Sequence, residues 1–192
     1  MLVVAISQSY AVSSADIYLP GMNYLDFSIN DINGKKVSLH DYIGKNIALE
    51  WVDPGCDFVK KHYDSKKMQT LQKYYVSQHN VVWLQIALDD KNLDKNKFIT
   101  AQLFDEDNVI TNLYQIRRAP EVVIISSSGV ISYVGAIDSL RTAVTADAWK
   151  AKQNYIESTL DALVSNQSVK VRKTRPYGCK VSTNVRKTFR AV

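Results

Sequence analysis

Short apolar runs alternate with polar stretches along most of the chain, at lengths that are typical of strands and helices. Residues 46–52 and 81–88 are apolar runs, which predict two buried strands in a sheet covered by helices. Residues 58–78 carry apolar side chains at mostly helical spacing, which predicts an amphipathic helix between those strands. Strand, helix and strand in this order predict a right-handed crossover.

The flanking segments complete an α/β pattern. Residues 27–29 and the Asn33-Gly34 turn predict an N-terminal β-hairpin, because Asn-Gly favours hairpin turns. The other predictions, in chain order, are a loop at 89–96, a strand at 98–103, a short helix at 107–114, a hairpin from 121–126 and 130–134, and a closing helix at 146–163 that includes Trp149.

A cysteine stands where the first predicted strand meets the predicted helix. Val52 is followed by Asp53-Pro54-Gly55, and Cys56 then opens the helical pattern. The N–H groups at the start of a helix favour the thiolate, the form of cysteine that attacks disulfides and peroxides. Asp53 would oppose thiolate formation by like-charge repulsion. Cys56 is therefore the candidate nucleophile.

This arrangement resembles the thioredoxin-fold redoxins, which include peroxiredoxins, alkyl hydroperoxide reductases and thiol-disulfide oxidoreductases. Arg118-Ala119-Pro120-Glu121 resembles the segment that carries a cis-proline in that fold, and residues 128–138 resemble the hairpin that follows it. Residues 174–179 resemble the end of a subgroup of these proteins. The resemblance implies a thioredoxin-like α/β fold, with a central mixed β-sheet flanked by helices, an N-terminal β-hairpin and a C-terminal tail.

The departures from the family limit the reactions that the resemblance implies. Val59 stands where thioredoxins carry the second cysteine of Cys-x-x-Cys, which excludes a dithiol of the thioredoxin type at this site. Asp53 and Leu49 stand where peroxiredoxins carry a threonine and a proline. The resemblance therefore implies a thiol-dependent oxidoreductase that acts either on protein disulfides or, like a peroxiredoxin, on a peroxide.

Pro120 is the second residue to which the resemblance gives a role. It implies a cis Ala119-Pro120 bond in a loop that packs against Cys56 and leaves backbone groups free to pair with an extended substrate. Ala119, Pro54 and Gly55 are candidates for the same substrate-binding surface. Without the resemblance we would expect a trans bond, because cis X-Pro bonds make up only ~5% of such bonds in folded proteins.

Other side chains near Cys56 have alternative roles. In the redoxin fold Arg117 or Arg118 could reach Cys56 and favour its thiolate, or both could be solvated arginines in a loop. Trp51 is a candidate for substrate contact, although its apolar neighbours favour core packing. His62 lies about 9 Å along the helix from Cys56, so we expect a surface or half-buried histidine. The cysteines and histidines lack metal-ligand spacing, and no metal or organic cofactor is expected.

Cys179 leaves several mechanisms open. If the tail folds back, Cys179 could resolve a sulfenic acid or mixed disulfide at Cys56. Otherwise an external thiol would resolve Cys56, or Cys179 would pair with another chain or remain unreactive. Two alternatives from other classes also remain: a thioredoxin-fold binding module with a redox-silent Cys56, and an envelope protein in which a Cys56–Cys179 disulfide is only structural.

Length and charge fit one redoxin domain with a basic tail. The 192 residues, 46% of them apolar, fit a single globular domain. We predict an N-terminal segment at 1–21, a domain at 22–165 and a tail at 166–192. The tail holds eight lysines or arginines and no acidic residue, while the rest carries sixteen basic and nineteen acidic side chains, a net charge of −3. The basicity belongs to the tail, so nucleic acid is not an expected partner.

The N-terminus bears on the compartment. Residues 2–6 are apolar and small residues follow, which fits a truncated signal peptide, although an ordinary terminus fits as well. We expect a periplasmic or secreted protein, with a cytoplasmic location as the alternative. No apolar run reaches the ~18 residues of a membrane span, so stable membrane insertion is not expected. The expected partners are a thiol or disulfide protein or a peroxide as substrate, and an external thiol reductant.

Overall fold

The computed structural model describes residues 20–88 and 101–181. The strands are β1 (Ser28–Asn30), β2 (Lys36–Ser38), β3 (Ile47–Val52), β4 (Val82–Ala87), β5 (Ala101–Phe104), β6 (Arg118–Ala119), β7 (Glu121–Ile125), β8 (Ile131–Gly135) and β9 (Cys179–Lys180). The α-helices are α1 (Asp57–Asp64), α2 (Lys67–His79), α3 (Val109–Leu113) and α4 (Tyr155–Val164). Short 3-10 helices cover Leu39–Tyr42 and Thr145–Asp147.

A mixed five-stranded sheet forms the centre of the molecule. Its strand order is β5-β4-β3-β7-β8, in which β3, β4 and β5 run parallel and β7 is antiparallel to both β3 and β8. Every residue of β3, β7 and β8 is buried, as expected for strands that are covered on both faces. Helix α2 packs on β4 and helix α4 on β7, which places the core between sheet and helices.

Most of the predicted elements are confirmed. The hairpin of β1 and β2 turns at Asn33-Gly34, the runs at 46–52 and 81–88 form β3 and β4, and β7 pairs with β8 as the second hairpin. The short helix at 107–114 is α3. Strand β5 covers the last three residues of the strand predicted at 98–103 and continues to Phe104, while residues 98–100 lie outside the described residues. The predicted loop at 89–96 lies outside the described residues.

The prediction of one helix over residues 58–78 was wrong. Helix α1 ends at Asp64 and α2 begins at Lys67. Between them Lys66 has a φ of 63°, a left-handed conformation that interrupts a right-handed helix. The apolar spacing continues across this break because both helices pack on the same core.

The closing helix was predicted too long. It begins at Tyr155, because the side chain of Asn154 accepts a hydrogen bond from the N–H of Glu157 at 3.0 Å and caps the first turn. Residues 146–154 instead form a 3-10 turn and irregular backbone. Trp149 is 58% exposed and donates its indole N–H to the carbonyl of Ser65, so it is not a core residue.

Candidate functional site

Cys56 lies at the N-terminus of α1. Strand β3 ends at Val52, and the N–H of Cys56 donates to the carbonyl of Asp53 at 2.9 Å across the Pro54-Gly55 turn. The carboxylate of Asp53 accepts from the N–H of Gly55 at 2.8 Å, which fixes the turn. Cys56 is the N-cap residue of α1 and is only 2% exposed, so the turn delivers its sulfur into the interior.

The loop before β7 packs against that sulfur. The Ala119–Pro120 peptide bond is cis, as the resemblance implied. The carbonyl oxygen of Ala119 lies 3.3 Å from Sγ of Cys56. The backbone of Arg118 and Ala119 forms the two-residue strand β6, one edge of which is paired with the C-terminal tail.

The tail folds back over this loop and joins it covalently. Cys56 and Cys179 form a disulfide, with an S–S distance of 2.04 Å and 5.9 Å between the two Cα atoms. Strands β6 and β9 are antiparallel, with Cys179 opposite Ala119. The N–H of Val181 extends the pairing by donating to the carbonyl of Arg117 at 3.1 Å. Cys179 is half-buried and is therefore the more accessible of the two cysteines.

Gly178 makes the close approach of tail and loop sterically feasible. It has a φ of 117°, a backbone conformation that residues other than glycine rarely adopt. A Cβ at this position would overlap the carbonyl of Ala119 and press on the ring of Pro120. The carbonyl of Gly178 accepts a hydrogen bond from the guanidinium of Arg118 at 2.9 Å.

Tyr177 anchors the tail in a buried polar cluster. Its hydroxyl donates to the carboxylate of Asp138 at 2.6 Å and lies 3.3 Å from Nε2 of His62 and 3.4 Å from Nζ of Lys61. Lys61 also donates to the carbonyl of Leu140 at 2.7 Å and lies 3.8 Å from Asp138. We call Lys61, His62, Asp138 and Tyr177 the tyrosine anchor. It couples α1 and the segment after β8 to the tail.

The prediction of a surface or half-buried His62 was wrong, because His62 is 0% exposed. Burial, with the nearby Lys61 and Lys67, lowers the pKa of His62 to about 3, so the imidazole is neutral at physiological pH. Burial also lowers the pKa of Lys61, which Asp138 partly offsets. Burial and Asp138 raise the pKa of Tyr177, so the phenol keeps its proton. The anchor is thus a neutral histidine and a protonated phenol beside the Lys61–Asp138 pair.

A second buried network, around Glu50, did not emerge from the sequence reasoning. The Glu50 carboxylate accepts hydrogen bonds from Tyr63 at 2.7 and 2.8 Å, from Trp83 at 2.9 Å and from Gln72 at 3.1 Å. Burial raises the pKa of Glu50. The available signal was one charged residue in the apolar run of β3, which indicates a buried carboxylate with dedicated donors. The network ties α1, α2 and β4 to β3.

Glu121 is a third buried carboxyl group, directly after Pro120. Burial raises the pKa of Glu121 to about 7, although the N–H groups of Arg117 and Arg118 oppose that rise by hydrogen bonding to it. The carboxyl group therefore supports the backbone of the loop that pairs with the tail, and it changes charge near neutral pH.

Of the remaining candidate residues, Trp51 lies in the core and two arginines lie at the surface. Trp51 is fully buried and donates its indole N–H to Thr111 at 3.0 Å, which fits the core-packing interpretation. Arg117 and Arg118 are exposed. Together with Arg141 and Arg175 they line a cleft beside the tail, of about 500 Å³.

Residues 20–88 and 101–181 contain no candidate metal site and no candidate membrane span. No three or more His, Cys, Asp or Glu side chains in those ranges are grouped so that they could hold a metal ion. Within the same ranges no helix has the length and apolarity needed to cross a membrane.

A five-stranded mixed sheet with a cysteine at a helix N-terminus and a cis-proline beside it defines a thioredoxin-like fold, and comparison with known proteins agrees. No protein-family model and no curated protein matches the sequence. Among solved structures, the thioredoxin domain of a thiol-disulfide oxidoreductase from Bacteroides vulgatus matches with a TM-score of 0.51 at 20% identity, over 69% of this chain and 97% of that one.

Two further structures match over more of the chain. A hypothetical protein from Sinorhizobium meliloti has a TM-score of 0.68 at 15% identity, over 85% of this chain and 94% of that one. An uncharacterized conserved protein from Geobacillus kaustophilus has a TM-score of 0.68 at 19% identity, over 87% and 93%. At such identities the likeness concerns the fold, which confirms the thioredoxin-like fold that the sequence predicted.

Proposed function

We propose that this protein is a thiol-disulfide redox protein in which Cys56 and Cys179 alternate between a disulfide and two thiols. The observation that carries the proposal is the disulfide itself, which joins the cysteine at the start of α1 to a tail residue opposite Ala119. The thiol-disulfide oxidoreductase from Bacteroides vulgatus, which has the same fold, supports this class of reaction. Disulfides persist in oxidising compartments, which supports a periplasmic or secreted location.

The tail occupies the face where the redoxin resemblance puts an extended substrate. Strand β9 pairs with β6 through backbone hydrogen bonds, and Cys179 meets Cys56 from that strand. The tail thus holds its cysteine as a bound substrate would hold a reacting sulfur. Cys179 then supplies the second thiol that Val59 does not provide.

Exposure of the two sulfurs suggests the direction of attack. A partner thiolate attacks Sγ of the half-buried Cys179, the Cys56–Cys179 bond breaks, and Cys56 leaves as a thiolate at the start of α1, where helix N–H groups favour negative charge. A second partner thiolate attacks the partner's sulfur in the mixed disulfide and releases Cys179. Two partner thiols are oxidised to a disulfide while the protein gains two thiols, and the reverse sequence reduces a disulfide.

Peroxide reduction would use the same cysteines in another order. The Cys56 thiolate would be oxidised to a sulfenic acid, and Cys179 would condense with it, forming the disulfide and releasing water. We favour disulfide exchange, because the carboxylate of Asp53 occupies the turn where a peroxiredoxin carries its threonine, and this carboxylate accepts from Gly55.

The test starts from reduced protein and compares oxidised glutathione with hydrogen peroxide as oxidant. Products are trapped by alkylation and identified by mass spectrometry, in the wild type and in the Cys56→Ser and Cys179→Ser variants. We expect oxidised glutathione to yield the intramolecular disulfide through a mixed disulfide on Cys179, and the Cys56→Ser variant, which lacks the thiolate that resolves it, to stop at that mixed disulfide. Equal, slow reaction of the remaining cysteine in both variants would refute a redox role, and much faster reaction with peroxide would shift the proposal to peroxide reduction.

A further inference from the structure

We infer that the cleft beside the disulfide binds a small anionic thiol, so that the reductant of Cys56–Cys179 is one that carries carboxylates. This inference rests on the proposed function and names a substrate class for the same disulfide. The cleft, which we call the arginine cleft, is lined by Arg117, Arg118, Arg141 and Arg175 together with tail residues 176–178. Its volume of about 500 Å³ is within the range of small-molecule sites.

The four arginines divide into two pairs. The guanidinium of Arg118 donates to the carbonyl of Gly178 at 2.9 Å, and that of Arg141 donates to the carbonyl of Arg175 at 3.4 Å. These two hold the tail in place. The guanidinium groups of Arg117 and Arg175 make no hydrogen bond or ion pair with any residue that the structure describes. They are therefore available to a ligand.

The lining of the arginine cleft carries four arginines, all of them exposed, and no acidic side chain of the described residues, although the nearby Glu121 interacts electrostatically with Arg117. The neighbouring Glu121 is buried and accepts from backbone N–H groups of the loop. A guanidinium binds a carboxylate through two parallel hydrogen bonds, so anions with carboxylates are the ligands this lining suits.

The arginine cleft also adjoins the reacting sulfurs. Gly178 in its lining directly precedes Cys179, and Arg118 directly precedes Ala119, whose carbonyl lies 3.3 Å from Sγ of Cys56. A carboxylate bound there would hold an attached thiol close to the half-buried Cys179. Two molecules of such a thiol would reduce the disulfide by the two exchange steps given above and leave as their own disulfide.

The experiment compares three probe thiols of different charge as reductants of the oxidised protein: mercaptosuccinate, 2-mercaptoethanol and cysteamine. Each rate is divided by the thiolate concentration and by the rate of the same thiol with 2-hydroxyethyl disulfide, which removes differences in intrinsic reactivity. At low salt we expect the normalised rate of mercaptosuccinate to exceed that of 2-mercaptoethanol about 10-fold, and that of cysteamine to fall below it. The difference should nearly vanish at about 1 M NaCl.

Two double variants separate the arginine cleft from the overall charge. Arg117→Gln/Arg175→Gln removes two positive charges from the cleft but none of the guanidinium contacts that hold the tail. Lys45→Gln/Lys73→Gln removes two exposed positive charges elsewhere, and neither lysine lines the cleft. We expect the preference for mercaptosuccinate to fall several-fold in the arginine variant only.

The outcomes separate this inference from the proposed function. Equal normalised rates for the three thiols, or equal loss in both double variants, would overturn the arginine cleft as a binding site while leaving disulfide exchange intact. A disulfide that resists all three thiols and excess dithiothreitol would instead refute the proposed function.

Discussion

At the scale of single residues, Tyr177 makes several buried contacts that hold the tail. Its ring is 7% exposed and lies 5.8 Å from the ring of Phe58, with Nζ of Lys61 5.0 Å from its centroid. Its hydroxyl donates to Oδ1 of the buried Asp138 carboxylate. The tail is therefore held by a specific polar contact as well as by the disulfide.

Replacing Tyr177 with phenylalanine should destabilise the oxidised protein by about 2 kcal/mol, because the buried Asp138 carboxylate loses a hydrogen bond while the ring contacts remain. The measurement is urea-induced unfolding. Tyr42→Phe is the matched control, because the partly buried Tyr42 makes no hydroxyl hydrogen bond among the described residues. If Tyr177→Phe lowers the free energy of unfolding no more than Tyr42→Phe does, the Tyr177–Asp138 hydrogen bond does not stabilise the fold.

Glu121 makes the stability of the fold depend on pH. Its pKa is raised to about 7 from an ordinary value of 4.5, so between these values the folded state keeps a proton that the unfolded state has released. The unfolded state then binds fewer protons, and the free energy of unfolding falls as the pH rises through this window. Above the pKa of the folded state, the raised pKa of Glu121 lowers the free energy of unfolding by up to about 3 kcal/mol.

Glu121→Gln should therefore be more stable relative to the wild type at about pH 8 than at about pH 4.5, by up to about 3 kcal/mol. Urea unfolding of both proteins at the two pH values measures this difference. Glu106→Gln, at an exposed position, should show no such change. If the pH dependence of the wild type persists in Glu121→Gln, the carboxyl group does not titrate as described.

At the scale of elements, the pairing of β6 with β9 decides whether the two cysteines meet. This strand pair has only two residues on each side, extended by the contact of Val181 with Arg117. So short a ladder depends on its neighbours, the left-handed Gly178 and the anchored Tyr177. The cis-proline loop supplies the other strand of the pair.

Gly178→Ala should weaken formation of the Cys56–Cys179 disulfide at least 10-fold in a glutathione redox buffer, because a Cβ overlaps Ala119 and separates β9 from β6. Gly44→Ala is the matched control. Gly44 also has a positive φ, of 98°, so alanine strains the backbone at both positions. No atom outside its neighbours lies within 4 Å of a Cβ at Gly44, so Gly44→Ala creates no overlap. Equal loss in both variants would show that the strand contact does not control the disulfide.

At the scale of the whole molecule, the sequence pattern predicted the sheet better than the helices. The runs that form β3 and β4 are short, largely apolar and buried, and a length of six residues each suits a strand better than a helix. The break at Lys66 and the late start at Tyr155 depend on one backbone conformation and one capping side chain, neither of which changes the apolar spacing. Elements were therefore easier to predict than their ends.

The sequence predicted only part of the candidate site, because only some of its residues lie in local motifs. Cys56 and Pro120 lie in motifs that the sequence displays, and the structure brings Ala119 and the cis-proline loop to Cys56. The tyrosine anchor joins Tyr177 to partners that lie 39 to 116 positions away, and no local pattern connects them. The contact between tail and loop likewise depends on the folded chain, so the sequence left the role of Cys179 open.

The central claim is that Cys56–Cys179 is an exchangeable disulfide and not only a covalent support for the tail. The most direct test equilibrates the protein with glutathione redox buffers and measures the reduced fraction by alkylation and mass spectrometry. We expect half-reduction within the range of thiol-disulfide oxidoreductases, from about −120 to −270 mV. A disulfide that stays oxidised to below about −300 mV would behave as a structural bridge and would contradict the claim.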